Sequence, residues 1–169
     1  MPEGLAAPPA LAQNGAGGAM TESTVPRSAL ILGLAGLLPS AAALAAIAVL
    51  PGWREGAAAA GLAYGAVIAS FVGGAWWGLA ASRAEAAALP RLLVTSVVPS
   101  LIAWPALLVP APTGFLVLAT LFATLLPIDR RLRGDGVAPG WWLRLRLPLS
   151  IGMAALHLAG AVVLLAKTG

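Results

Sequence analysis

The single histidine is the side chain with the clearest capacity for acid–base chemistry in this sequence. His157 lies near the middle of the uncharged stretch 147–166. An ionisable group that deep in an apolar segment is by default a functional candidate. However, no Asp, Glu, Lys or Arg lies deep in another apolar stretch to relay its proton. We therefore favour a neutral histidine that hydrogen-bonds a serine, a threonine or a carbonyl across a helix interface, which is mildly stabilising.

The charged segment 129–146, DRRLRGDGVAPGWWLRLR, is a second place where chemistry is conceivable. Tryptophans at a membrane boundary, together with arginines that reach toward the head groups, would make it an anchor. The alternative is a binding site for an anionic lipid or a phosphate. Asp129 could pair with any of the arginines and hold the loop. The anchor includes Trp141, and the arginines concerned are Arg130, Arg131, Arg144 and Arg146.

Two further candidate sites involve tryptophan beside glycine or proline. Trp77 either sits at the membrane interface, as tryptophans often do, or lines a pocket opened by Gly73, Gly74 and Gly78.

Pro99 and Trp104 lie together in a later apolar stretch. Pro99 predicts a structural kink, with its freed carbonyl bonded to Ser96, Ser100, a water or a neighbouring helix. The alternative is a broken helix whose unpaired backbone groups contact a solute.

Catalytic motifs are absent from the sequence. It has no Gly-x-Ser-x-Gly elbow, no His-Glu-x-x-His and no phosphate loop with a lysine. With no cysteine and one histidine, a disulfide, a catalytic thiol or a His/Cys metal cluster within one subunit is excluded. We expect no catalytic residue, no cofactor and no metal, and an enzyme is the least favoured class.

The composition indicates a membrane protein. Of 169 residues, 60% are hydrophobic and 9% charged, whereas about a quarter of an ordinary soluble domain is charged. Too few charges are available to cover a water-soluble surface. The net charge of +4 comes from arginines between apolar stretches, so orientation in the bilayer explains it better than nucleic-acid binding does.

The apolar stretches predict an all-α bundle of about five transmembrane helices. Each is judged against the ~20 residues that a helix needs to cross the hydrocarbon layer. The fourth stretch is short for a crossing, and Pro148 lies near the first turn of the fifth, where proline is tolerated. The spans lie at about 28–50, 57–81, 92–109, 114–128 and 147–166, within a single transmembrane domain, 28–167.

The N-terminal segment 1–27 is rich in Ala, Gly and Pro and reads as a disordered tail. We interpret the first span as retained rather than as a cleaved signal peptide, because its apolar run is long for a signal sequence.

The basic residues predict the topology. Eight arginines lie on the side of the N-terminus, the second-to-third loop and the fourth-to-fifth loop, whereas Arg54 and Lys167 lie on the other. By the positive-inside rule the N-terminus is inside and the C-terminus outside. We expect a multi-pass protein of the bacterial inner membrane.

The second span contains two rows of small residues spaced four apart, which lie on one helix face. In lipid such a face lets another helix backbone approach closely. We expect the two rows to form one broad packing face, with the third span as its nearest neighbour. The rows are Ala57, Gly61, Gly65, Ala69 and Gly73, and Ala66, Ser70, Gly74, Gly78 and Ser82.

Several motifs resemble those of the domain-of-unknown-function family 3429. They are GLAGLLP at 33–39, SFVGGAWWGL at 70–79, SVVPSLIAW at 96–104, Asp129, and WWLRLR at 141–146. The chain differs at Trp76, where the family pattern often has a basic residue or a histidine. The resemblance implies a small multi-pass membrane protein and implies no particular activity.

Two functional hypotheses follow. The favoured one is a non-enzymatic packing or assembly component, whose partners are the lipid bilayer and other membrane proteins or a second copy. The alternative is a small-solute transporter or a lipid-handling protein, with an anionic lipid as ligand. Neither hypothesis involves nucleic acid.

Overall fold

A computed structural model describes residues 24–167, and the expected disordered tail lies largely outside them. Within that range every regular element is helical, and five helical segments are long and apolar enough to span a membrane. The predicted all-α fold with five spans is therefore confirmed. The elements are α1 (Arg27–Ala35), α2 (Leu38–Val49), a 3-10 turn (Pro51–Trp53), α3 (Arg54–Arg83), α4 (Leu89–Ala106), α5 (Ala111–Gly134) and α6 (Trp142–Ala166).

The first span consists of two helices, α1 and α2, rather than one. The ring of Pro39, at the start of α2, carries no N–H and would collide with the carbonyl four residues back in a continuous helix. The chain passes the break through tighter i→i+3 bonds, such as Leu37 N–H to the Leu34 carbonyl at 3.0 Å. The Tyr64 hydroxyl on α3 donates to the Gly36 carbonyl at 2.8 Å and so supports the break.

The fourth span is longer than the sequence suggested. Helix α5 has 24 residues and is about 36 Å long at 1.5 Å per residue. It gains a turn at its start, because Pro112 fits the first turn of a helix. It also continues through the arginines at 130, 131 and 133, which were expected in a loop, because a helix can extend past the hydrocarbon into the head groups.

The fifth span also begins earlier than expected. Helix α6 starts at Trp142, so the expected interfacial anchor is its first turn. Pro148 consequently lies in the helix interior and not in the first turn. The helix continues through this position, as α5 does through Pro127, and both prolines are on exposed faces.

Helix α4 is continuous through both Pro99 and Pro105. The broken-helix interpretation of Pro99 is therefore wrong. The expected role of the nearby serines is also wrong, because Ser96 bonds the Leu93 carbonyl at 2.6 Å and Ser100 the Val97 carbonyl at 2.8 Å. Neither hydroxyl bonds the Thr95 carbonyl, which lacks its usual helical donor because Pro99 has no N–H.

The closest helix pairs are α3 with α4 and α5 with α6, and α2 packs against both α3 and α6. The expectation that the third span is the main neighbour of the second is therefore correct. Gly73 shows why: a Cβ added to it would collide with the Ser96 backbone carbonyl of α4. Close backbone approach of this kind is what small residues permit in lipid.

The two rows of small residues on α3 do not form one packing face. We call Gly61, Gly65, Ala69 and Gly73 the covered row, and all four are buried. We call Ser70, Gly74, Gly78 and Ser82 the open row, and all four are exposed. Successive residues on a helix are about 100° apart, so Gly73 and Gly74 face different directions. The expectation of one broad face is wrong for this reason.

Candidate functional site

The most unusual side chain in the described structure is a fully buried carboxylate, Asp129, with an exposed fraction of 0%. Its Oδ1 accepts hydrogen bonds from the indole nitrogens of Trp76 at 2.8 Å and Trp142 at 2.7 Å. Its Oδ2 accepts one from Nε of Arg146 at 3.0 Å, which is also an ion pair. We call these four residues the Asp129 cluster.

Three helices contribute to the Asp129 cluster. Asp129 lies in the second half of α5, and Trp142 and Arg146 lie four residues apart on α6. Residues with that spacing share one helix face, so both side chains can reach the same carboxylate. Trp76 comes from α3, three residues after Gly73, on the side that packs inward. The cluster therefore ties the second, fourth and fifth spans together at the arginine-rich end.

Electrostatics explains why the carboxylate has so many donors. A buried charge is tolerated only when it is paired and hydrogen-bonded. Hydrogen bonds to charged groups contribute about 1.5–3 kcal/mol each. Both oxygens of Asp129 are occupied by donors from the protein itself, so the cluster is suited to fixing helices and not to moving protons.

The structure brings together two of the residues singled out in the charged segment, Asp129 and Arg146. Arg146 is buried, with its side chain 9% exposed, instead of reaching toward the head groups. Arg130, Arg131 and Arg144 are exposed. The four arginines named for the alternative anion-binding site therefore do not face one another, because Arg146 faces into the bundle.

Two members of the cluster were missed by sequence reasoning. Trp142, and not its neighbour Trp141, bonds the carboxylate. The Trp141 ring packs against that of Trp142 at a tilt of 50°, with ring centroids 6.0 Å apart. Trp76 was noted only as a difference from the family pattern, yet it is 1% exposed. Its position three residues beyond Gly73 places it near the covered row, which is the signal that could have identified it.

The pocket considered as the alternative for Trp77 is not formed with Gly74 or Gly78 by residues 24–167. Trp77 is about half exposed, and added Cβ atoms at Gly74 and Gly78 would meet nothing within 4 Å. Gly73 is the exception, because it packs against α4. Trp104 is 63% exposed on α4 and Pro99 is buried in the same helix, and neither is a member of the Asp129 cluster.

His157 is buried in the middle of the bundle, at 1% exposure. Its Nδ1 lies 2.8 Å from the carbonyl of Met153, one turn earlier on the same helix. This bond is local to α6. The backbone of Gly61 on α3 also lies close to the ring across the helix interface, although Nε2 meets no partner at full hydrogen-bond geometry in the described structure. The ring lies between Phe115 and Phe122, with centroids 5.4 and 5.3 Å away, and its Nε2 points at Gly65 of α3.

Within residues 24–167 no three His, Cys, Asp or Glu side chains come close enough together to hold a metal ion. The cluster's own donor set, one carboxylate with two indoles and a guanidinium, offers a metal only one ligand group. Indole N–H and guanidinium are hydrogen-bond donors and have no lone pair to share.

Five membrane-length helices, three of them joined at one end by a buried carboxylate, define a small multi-pass membrane protein. The chain belongs to the family described as "Protein of unknown function (DUF3429)", whose pattern matches residues 25–162. This confirms the resemblance noted in the sequence.

A curated relative, Transmembrane protein 69 of Xenopus tropicalis, is 33% identical over 139 residues. The match covers 82% of this chain and 54% of that protein, so the chain spans about half the length of its relative. No solved structure matches the chain.

Proposed function

We propose that this protein is a non-enzymatic assembly component of a membrane. In this role the open row on α3 binds a transmembrane helix of another membrane protein. The proposal rests on the difference between the two rows of small residues, because the covered row is used within the bundle and the open row is not.

The observation that carries the proposal is the empty space beside the open row. Added Cβ atoms at Gly74 and Gly78 would meet nothing within 4 Å, so no other part of residues 24–167 covers this face. Glycine in a helix costs about 1 kcal/mol relative to alanine. In lipid, glycine offsets this cost because it lets a second helix backbone approach closely. If only lipid chains covered this face, larger apolar residues would pack against them equally well.

The surroundings of Gly74 fit a partner helix. Phe71 and Trp77 are three residues to either side of it, which places them about 60° to its left and right around the helix axis. Both are exposed, Phe71 at 72% and Trp77 at 47%. Gly74 is thus the floor of a shallow trough between two aromatic walls. Ser70 and Ser82 bond carbonyls of their own helix, at 2.9 and 2.8 Å, so their hydroxyls place no unpaired group in lipid.

Gly74→Leu and Gly78→Leu test the proposal, because both would block close approach without disturbing the bundle. Purification in mild detergent, with quantitative identification of what co-purifies, is the measurement. We expect a stoichiometric membrane-protein partner for the wild-type chain and at least tenfold less of it for each variant. Val162→Leu, at an exposed position on α6, is the control and should keep the partner.

If Gly74→Leu and Gly78→Leu each retained the partner at wild-type levels, the proposal would be contradicted. A dimer of this chain in place of a different protein would identify the occupant of the open row as a second copy. Cross-linking between cysteines introduced at Val67 of differently tagged copies separates these two cases.

The alternative role as a small-solute transporter loses its main support, because α4 is unbroken at Pro99. The alternative role in lipid handling retains one specific observation, the groove beside Arg146 that is described below.

We also propose that the protein lies in a bacterial inner membrane with its N-terminus in the cytoplasm. Eight arginines on one side, against Arg54 and Lys167 on the other, support this orientation. A reporter fused after Gly169 should be active outside the cytoplasm. A fusion that is active only in the cytoplasm would reverse the proposed orientation.

A further inference from the structure

A narrow groove opens on the side of the bundle between the first span, α3 and α6. Its cavity is about 110 Å³, and its walls are mainly apolar. Whole small-molecule sites usually enclose roughly 300–1,000 Å³, so this groove could enclose only part of a ligand. The residues that matter for the argument are Leu32, Gly33, Ile68, Phe71, Arg146 and Ser150.

Two buried polar side chains, Arg146 and Ser150, form part of the groove wall. They lie four residues apart on α6 and hence on one face. Arg146 Nη2 and Ser150 Oγ have no hydrogen-bond partner in the described structure. Ser150 is 1% exposed and the Arg146 side chain 9%. Leaving a buried donor unpaired costs about 1–3 kcal/mol, and more when the group is charged.

The missing partner must be a hydrogen-bond acceptor. Asp129 already binds Arg146 through Nε and has both of its oxygens occupied by donors. The guanidinium is a planar fork whose remaining N–H groups suit an oxygen anion. The Ser150 hydroxyl is a second donor beside it. An oxygen-rich acidic group would satisfy both at once.

The position of the groove indicates where such a group would come from. Arg146 is four residues beyond Trp142, about 6 Å along α6, so it lies just inside the arginine-rich membrane boundary. Leu32 and Phe71 at the groove are both 72% exposed, which opens it laterally toward lipid. The exposed arginines at 130, 131 and 144 on this side attract anionic head groups.

From these observations we propose that the groove binds one anionic phospholipid. The phosphate oxygens accept hydrogen bonds from Arg146 Nη2 and the Ser150 hydroxyl, and an acyl chain lies along the apolar wall formed by Leu32 and Ile68. Most of the lipid remains in the bilayer, in keeping with the small enclosed volume. The groove adjoins the open row and shares Phe71 with the trough at Gly74, but its hydrogen-bond donors, Arg146 and Ser150, are on α6. The proposal therefore goes beyond the assembly role and does not depend on it.

Delipidated full-length protein in detergent, titrated with single lipids and observed by native mass spectrometry, tests the proposal. The four probes are phosphatidylglycerol, phosphatidylcholine, diacylglycerol and inorganic phosphate. We expect phosphatidylglycerol to bind most tightly and diacylglycerol, which has the chains without the phosphate, to bind at least tenfold more weakly. Inorganic phosphate, which has no chains, should also be weak.

Two variants locate the site without removing the Asp129–Arg146 ion pair. Ser150→Ala deletes one donor and should weaken phosphatidylglycerol binding about threefold to tenfold, as expected for one hydrogen bond. Ile68→Trp fills the groove from α3 and should abolish binding. The matched controls are Ser70→Ala, a serine outside the groove, and Val67→Trp, an exposed neighbour of Ile68; both should bind phosphatidylglycerol normally.

Several outcomes would overturn the proposal. One is diacylglycerol binding as tightly as phosphatidylglycerol, which would show that the phosphate is not recognised. Another is inorganic phosphate competing with the same affinity, which would indicate a free-anion site. A third is Ile68→Trp binding phosphatidylglycerol as tightly as the wild type. A fourth is a wild-type chain that binds no lipid, which would indicate that water occupies the groove.

Discussion

Asp129 and His157 are both buried polar residues within helices, and the bundle accommodates them in opposite ways. Asp129 receives donors from α3 and α6, three residues in all. His157 makes one bond, to a carbonyl of its own helix, and is otherwise surrounded by two phenylalanine rings and a glycine. Asp129 joins helices through its hydrogen bonds, whereas His157 mainly fills space between packed side chains.

The difference follows from charge. A carboxylate that stays ionised in a buried site requires several donors, and one helix cannot supply them because its own N–H groups are already used. The donors must therefore come from neighbouring helices, which ties those helices together. An imidazole can remain neutral, and one carbonyl of its own helix satisfies one ring nitrogen. The residues around the imidazole ring are then determined by how well their shapes fit it.

The largest effect is expected for Asp129→Ala. This variant leaves Arg146 buried without its counter-ion and two indole N–H groups without an acceptor. Removing one partner of a buried ion pair typically costs about 3–5 kcal/mol. We expect a loss of that size in the free energy of unfolding, measured by denaturant titration in mixed micelles. Asp135→Ala, at an exposed carboxylate just after α5, is the control and should change it by less than about 0.5 kcal/mol. Equal effects at the two positions would show that the cluster does not fasten the bundle.

An intermediate effect is expected for Gly65→Val, which tests the shape-selected surroundings of His157. A Cβ at Gly65 would collide with the imidazole and come within 2.8 Å of Leu118 Cδ1. Overpacking of this kind costs about 1–3 kcal/mol. Gly74→Val places the same side chain on the open row of the same helix and is the matched control.

A second variant in the same experiment separates collision with the ring from other effects of valine. His157→Ala should restore part of the stability lost in Gly65→Val, because it removes the atoms that collide. Additive losses in the double variant would contradict the packing described at this position.

The smallest effect is expected for His157→Leu. The variant removes one hydrogen bond to the Met153 carbonyl and keeps an apolar side chain between the two phenylalanine rings. Interhelical polar bonds in membranes average about 0.6 kcal/mol, and a bond within one helix should contribute no more. We expect a loss of about 1 kcal/mol or less in the same unfolding assay. A loss as large as that of Asp129→Ala would remove the distinction between the two residues.

The sequence predicted the number and order of the spans, because hydropathy is a local property that depends little on how helices meet. The sequence predicted the ends of the helices less accurately. Arg130, Arg131 and Arg133 were read as a loop because they are charged, although a helix that continues past the hydrocarbon can carry them at its end. The break at Gly36 was also missed, and its signal is Pro39.

The candidate site was predicted only in part. Asp129 and the arginines that follow it were recognised as possible partners, but the sequence did not indicate which arginine would pair with Asp129. Arg146 pairs because the α6 face that bears Trp142 also bears position 146. The spacing of Trp76 from Gly73 could have indicated that it is buried, but not that it bonds Asp129, because the two residues are 53 positions apart and such a contact leaves no local pattern.

The sequence by itself determined that this chain is a five-span membrane protein with its arginines mostly at one end. It also identified two rows of small residues on α3. Only the tertiary structure decided which row is covered, which tryptophan meets Asp129 and that Nδ1 of His157 bonds a carbonyl of its own helix. The reason is physical. Apolar length decides whether a segment enters the bilayer, but the rotation of each helix about its axis decides which side chains meet. That rotation depends on contacts such as Gly73 against Ser96 and Gly65 against His157, which exist only when all the helices are packed together.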